Sequence, residues 1–219
     1  MMDKKPQTTK QKEKLVLKKV LLAIVAVFAL LGLLLVSLQL VDKATEPDKV
    51  DFTSANSEDS SIYFFSVDYS EDPESDPAYM AKQRDVWFTD VTGVSDYLDE
   101  GDKNNKDARA LMYNYFTALK EGDADAHSAL LSEDYKKSFV VQESFTPQKV
   151  HDINVSYMQS EERDGRYYQY YKVSYEIYEN DGTFRNDIGS EVAKLMYFEL
   201  VHEDGMYKLN SIGYIEIKQ

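Results

Sequence analysis

The chain has 219 residues, with 39 acidic against 25 basic side chains, a net charge of −14 and no cysteine. The lack of cysteine excludes disulfides, thiol nucleophiles, zinc–thiolate sites and a lipid-modified cysteine anchor. Seven of the basic residues and two of the acidic ones lie within residues 1–19, which leaves the rest of the chain near −19, a charge that repels nucleic acid and anionic polymers.

Residues 1–19 form a tail holding Lys4, Lys5, Lys10, Lys12, Lys14, Lys18 and Lys19 against Asp3 and Glu13. Residues 20–41 (VLLAIVAVFALLGLLLVSLQLV) follow without a charged side chain. A helix of that length reaches about 33 Å, enough for a hydrocarbon core of roughly 30 Å. The lysine excess before the run predicts a cytoplasmic N-terminus and an extracytoplasmic remainder. The run is also longer than the apolar region of a cleaved signal peptide. The expectation is one membrane-spanning helix in a cell membrane, and the cysteine-free outer part suits a Gram-positive surface.

Residues 42–61 (DKATEPDKVDFTSANSEDSS) have too few large apolar groups to order themselves and read as a flexible linker. An extracytoplasmic domain is expected over 62–219. It opens with a strand at Ile62–Tyr69, followed by an acidic, two-proline loop at 70–77 and an ambiguous stretch at 78–100 in which Trp87 and Phe88 belong to the core.

From Lys106 the apolar residues Ala108, Leu111, Met112, Tyr115, Phe116 and Leu119 recur at steps of three and four, which predicts a helix. Asn104 or Asn105 would cap its start and Gly122 would end it. Asp123 would cap a second short helix with Ala126, Leu130 and Leu131 inward, and a third turn spans Ser132–Phe139.

Four strands then follow, at 150–158, 166–178, 191–202 and 206–217. Turns at Asp164-Gly165, Asn180-Asp181-Gly182 and Asp204-Gly205 separate them. Alternation in the second strand assigns Tyr167, Tyr171, Val173, Tyr175 and Ile177 to the core face. It assigns Tyr168, Tyr170, Lys172, Ser174, Glu176 and Tyr178 to a wet one. The fold class is α+β, with short helices on a curved four-stranded antiparallel sheet.

The segments Tyr115-Phe116-Thr117-Ala118-Leu119-Lys120-Glu121-Gly122-Asp123 and Leu130-Leu131-Ser132-Glu133-Asp134-Tyr135 carry a family resemblance. Over roughly 106–217 the chain resembles the nuclear-transport-factor-2-like superfamily of cone-shaped domains. With its tail and apolar run it is also similar to membrane-anchored components of conjugation and type IV secretion machines. The resemblance implies a helix-covered cone and a part in an assembly. It implies no particular chemistry, because that superfamily holds enzymes and adaptors alike.

No nucleophile elbow, zinc-protease helix or phosphate-cradling loop is present. His127, His151 and His202 share no metal-binding spacing and read as packed or solvated side chains, and the run from Asp99 to Asp107 lacks the glycine a calcium loop requires. No catalytic residue, metal or cofactor is expected. The predicted function is a non-catalytic, membrane-anchored domain binding a protein partner in the envelope, with Tyr168, Tyr170 and Tyr178 as its docking surface. The competing class is a small-ligand sensor or enzyme working inside the cone, for which the resemblance points to Tyr171, Tyr175 and Tyr197.

Overall fold

The computed structural model describes residues 72–214; the lysine-rich tail, the apolar run 20–41, the linker 42–61 and the strand expected at 62–69 lie outside them. Among the described residues no helix is long and apolar enough to cross a membrane. All of them belong to one unit, Asp51–Gln219.

Aspartate followed by proline opens two turns in succession. Asp72 caps a 3-10 turn at Pro73–Ser75, and Asp76 caps helix α1 (Pro77–Met80), its carboxylate accepting from the N–H groups of Ala78 and Tyr79. Proline suits the position after each cap because that residue needs no N–H. Strands β1 (Val86–Thr89) and β2 (Ser95–Tyr97) form a hairpin. Its turn is held by Asp90, one oxygen of which accepts from the N–H groups of Thr92 and Val94, while Gly93 takes a φ of +81°.

A second 3-10 turn, Glu100–Asn104, is closed by Asp99 and Asp102 capping each other's backbone. Asp99 and Asp102 are thus engaged in capping, and Asp102 also accepts from Arg109 Nε at 2.7 Å. Helix α2 (Ala108–Glu121) is capped by Asp107, two residues beyond the later of the two caps expected, and ends at Gly122 with a left-handed φ of +68°. Helices α3 (Ala124–Ala129) and α4 (Glu133–Ser138) follow, capped by Asp123 and Ser132. In α3 the inward residue is His127; Ala126 is exposed and Leu130 half-buried, whereas Leu131 is buried as expected.

Four long strands complete the chain: β3 (Val150–Arg163), β4 (Arg166–Ile177), β5 (Lys194–Glu203) and β6 (Met206–Tyr214). The turns at Asp164-Gly165 and Asp204-Gly205 form as predicted, with positive φ at all four residues. The expected turn at 180–182 is instead part of a longer connection, in which Phe184, Arg185 and Ile188 are buried.

The sheet has six strands, not four, in the order β2-β1-β3-β4-β5-β6, and it is mixed rather than antiparallel because β1 runs parallel to β3. The extra strands come from the 86–97 stretch, whose alternation is too short to register as sheet in isolation. Bulges between His151 and Asn154, between Tyr157 and Gln159, and at Glu199–Leu200 bend the long strands. Leu111, Met112, Tyr115, Phe116 and Leu119 of α2 lie buried in one core with Tyr171, Val173, Tyr175, Ile177, Met196 and Phe198 of the sheet.

Candidate functional site

The interior of the domain is filled by rings. Tyr115 meets Phe116 and Phe198 edge-on with centroids 5.2 Å apart, and Phe116 meets Tyr175 at 5.3 Å. Tyr171 and Tyr175 occupy this core as predicted, but Tyr197 does not. Tyr171 pairs with Phe198 and Val173 with Met196, so Tyr197, paired with Lys172, stands half-buried on the opposite face. Burial pushes the Tyr175 hydroxyl up to about 12 and that of Tyr115 well above its ordinary value, so neither ionises near neutrality.

Beside these rings Arg185 and Asp187 form a buried two-pronged ion pair at 2.9 and 2.5 Å, and Arg185 also donates to the Tyr214 hydroxyl at 2.6 Å. His127, enclosed by Tyr115, Phe145 and Phe184, is held neutral. Burial, with a smaller push from Arg185, lowers it to about 4.

The outer face of the sheet departs from the expectation of a wet surface. Tyr168 and Tyr170 are each only 5 % exposed and cluster with Val201 and Met158. The Arg163 guanidinium lies 4.2 Å from the Tyr168 ring centroid and reaches Glu161 and Glu199, while the Tyr170 hydroxyl donates to Glu161 at 2.7 Å. A strand surface that alternation marks as polar is thus sealed by its own charged neighbours. Tyr178 is half-buried near the other end, within cation–π reach of Lys82 and Lys149.

At that end the sheet gathers a second set of polar groups. His151 on β3 stands opposite Glu176 on β4. Glu191 joins them from the long connection, its N–H donating to the Ile177 carbonyl at 2.8 Å and its φ at +54°. The His151 side chain is 0 % exposed; Nδ1 lies 2.7 Å from the Asp152 carboxylate, and Nε2 is 3.6 Å from Glu191. Among the described residues Nε2 has no hydrogen-bond partner. Lys82 donates to both Glu191 oxygens, at 3.0 and 3.3 Å, and that contact raises its pKa.

The last feature is apolar. Trp87, expected in the core, is 38 % exposed, while its neighbour Phe88 is buried. Its ring meets that of Tyr97, itself 47 % exposed, at a centroid distance of 4.7 Å. Both line a shallow hollow of about 290 Å³, with Gln83, Asp152, Ile153 and Asn154.

No family model, curated protein or solved structure matches this chain. The site groups therefore stand on their geometry alone. Sequence reading missed the His151 cluster because His151 and Glu176 become neighbours only through strand register, and Glu191 only through the path of a loop. It missed Trp87 because alternation over four residues does not say which face is covered.

Proposed function

We propose that this chain is a single-pass membrane protein whose C-terminal domain, related to the nuclear-transport-factor-2-like superfamily, stands outside the cell as a non-catalytic, protein-binding part of an envelope assembly. The observation that carries the binding role is the Trp87–Tyr97 pair, two exposed rings in contact over a hollow on the terminal hairpin of the described sheet. Large aromatic side chains in contact with solvent are the type that dominates binding energy when a partner excludes water from them. The packed aromatic interior supports the same reading, because a ligand inside the cone would need space that Tyr115, Phe116, Tyr175 and Phe198 fill. The docking surface first expected at Tyr168, Tyr170 and Tyr178 gives way to this pair, since a partner cannot reach two rings already covered.

The test uses the full-length chain in membranes, with a photo-crosslinking residue at position 95 on the same hairpin. Crosslinking to a discrete partner is expected. It should be lost in the Trp87→Ser, Tyr97→Ser double variant while the melting temperature stays within a few degrees. Crosslinks undiminished by the double change would remove the hairpin as the contact surface.

A further inference from the structure

We infer that His151, Glu176 and Glu191 form a binding site for a divalent first-row metal ion, with Zn²⁺ the best match, and that the Lys82 ammonium guards it. The inference does not depend on the binding role proposed above. One imidazole nitrogen and two carboxylate oxygens lie within 4.8 Å of one another. That donor set suits Zn²⁺, which takes histidine and carboxylate ligands at about 2.0–2.2 Å in a tetrahedral array. Ligand atoms in such an array are roughly 3.4 Å apart, so closure from separations of up to 4.8 Å needs the side chains to draw in by about 1.4 Å at most.

Exposed acids gather on many surfaces without holding an ion; the buried histidine distinguishes this group. The Asp152 carboxylate can only accept, so it fixes the proton of a neutral His151 on Nδ1 and leaves the Nε2 lone pair free. That arrangement, a carboxylate behind an imidazole, is the usual support of a metal-bound histidine. Nε2 is fully buried and meets no hydrogen-bond partner among the described residues, yet it faces Glu191 across 3.6 Å. A buried acceptor without a donor is costly unless something else satisfies it. A metal ion between Nε2 and the two carboxylates would do so.

Lys82 supplies the resident positive charge. Its ammonium holds Glu191, but its side chain is 32 % exposed and can swing into solvent when an ion arrives. The ion would join β3, β4 and the long connection at one point. Three protein ligands would leave a fourth position for water.

The test is Zn²⁺ binding to the full-length chain, purified in detergent without a polyhistidine tag, measured by competition with a chromophoric chelator. Co²⁺ absorption serves as a reporter of coordination. One ion per chain is expected, with a visible tetrahedral Co²⁺ band. Asp152→Asn should weaken binding by about 10- to 100-fold, the range for a carboxylate supporting a ligand histidine. His151→Gln, Glu176→Gln and Glu191→Gln should each weaken it at least as much. Lys82→Met should tighten binding, because it removes the competing cation and keeps the aliphatic stem. Should His151→Gln fail to fold, the two glutamate variants decide alone, since both positions are at least partly exposed. Absence of a one-to-one complex, or a Co²⁺ band and affinity unchanged in Glu176→Gln and Glu191→Gln, would overturn the site.

Discussion

Gly122 lies directly beneath Pro147: a Cβ on Gly122 would fall 2.7 Å from the proline nitrogen and 2.9 Å from its Cδ. The glycine at the end of α2 is therefore required twice, by its left-handed φ of +68° and by the chain that crosses it. Around that crossing Gln148 donates its N–H to the Leu119 carbonyl at 2.8 Å, so the segment leading into β3 also caps the helix.

Gly122→Ala should destabilise the domain by more than the roughly 1–2 kcal/mol that a left-handed alanine costs. Gly205→Ala provides the control, since its φ is +78° but nothing lies within 4 Å of the added carbon. Chemical denaturation of the two variants separates the effects. Equal losses would mean that Pro147 moves aside freely.

Leu119 is fully buried between α2 and the sheet, and Leu119→Ala should cost about 2–5 kcal/mol. A loss below about 1 kcal/mol would contradict this packing. The next residue behaves differently from a simple surface lysine. Lys120 is half-buried with Nζ 3.4 Å from the Arg84 carbonyl, and burial lowers its pKa. The folded state then holds the lysine proton less tightly than the unfolded state does. The penalty is full at neutral pH and disappears as pH rises past the unfolded value near 10.5. Lys120→Met should raise the melting temperature at pH 7, and its advantage should shrink above pH 10.

His127 gives the opposite end of the pH scale. Its folded value near 4 lies below the ordinary 6.5, so unfolded chains take up the proton first as pH falls. Stability should be full above about pH 6.5 and decline towards pH 4, by a total on the order of 3 kcal/mol. In His127→Leu this part of the decline should vanish. Direct NMR titration of the ring should show no protonation of the folded protein above pH 5; a midpoint near 6.5 would place His127 in contact with water.

The orientation proposed for the chain rests on the lysine count of residues 1–19. Protease added to intact cells should remove the C-terminal domain and spare an N-terminal tag. Protection of the C-terminus would reverse the orientation and with it the compartment proposed for the domain.

The sequence is most legible where one physical signal repeats. The 3.6-residue recurrence from Ala108 to Leu119 locates α2, and Asp164-Gly165 and Asp204-Gly205 locate the hairpins of the long strands, whereas the third Asp-Gly pair, Asp181-Gly182, falls in the longer connection. Parity fails across bulges and between strands. Tyr197 is misplaced because β5's phase is set by pairing with β4, and Tyr168 and Tyr170 are misjudged because Arg163 covers a face that alternation marks as wet. The strands at 86–97 are not assigned to the sheet because three or four residues hold too little pattern, and their place depends on a parallel partner more than sixty residues away. The His151 group combines all of these problems: two positions joined by register and a third delivered by a loop.

The two ends of the described sheet are not equivalent. Along β6 the chain at Leu130–Ser132 already bonds to Leu209 from both sides, Leu209 N–H to the Leu130 carbonyl and Ser132 N–H to the Leu209 carbonyl. Among the described strands β2 ends the sheet with all three of its residues exposed. Among the described residues, then, a strand arriving at the β6 edge would meet backbone groups already bonded at Leu209, whereas no other described strand lies beyond β2.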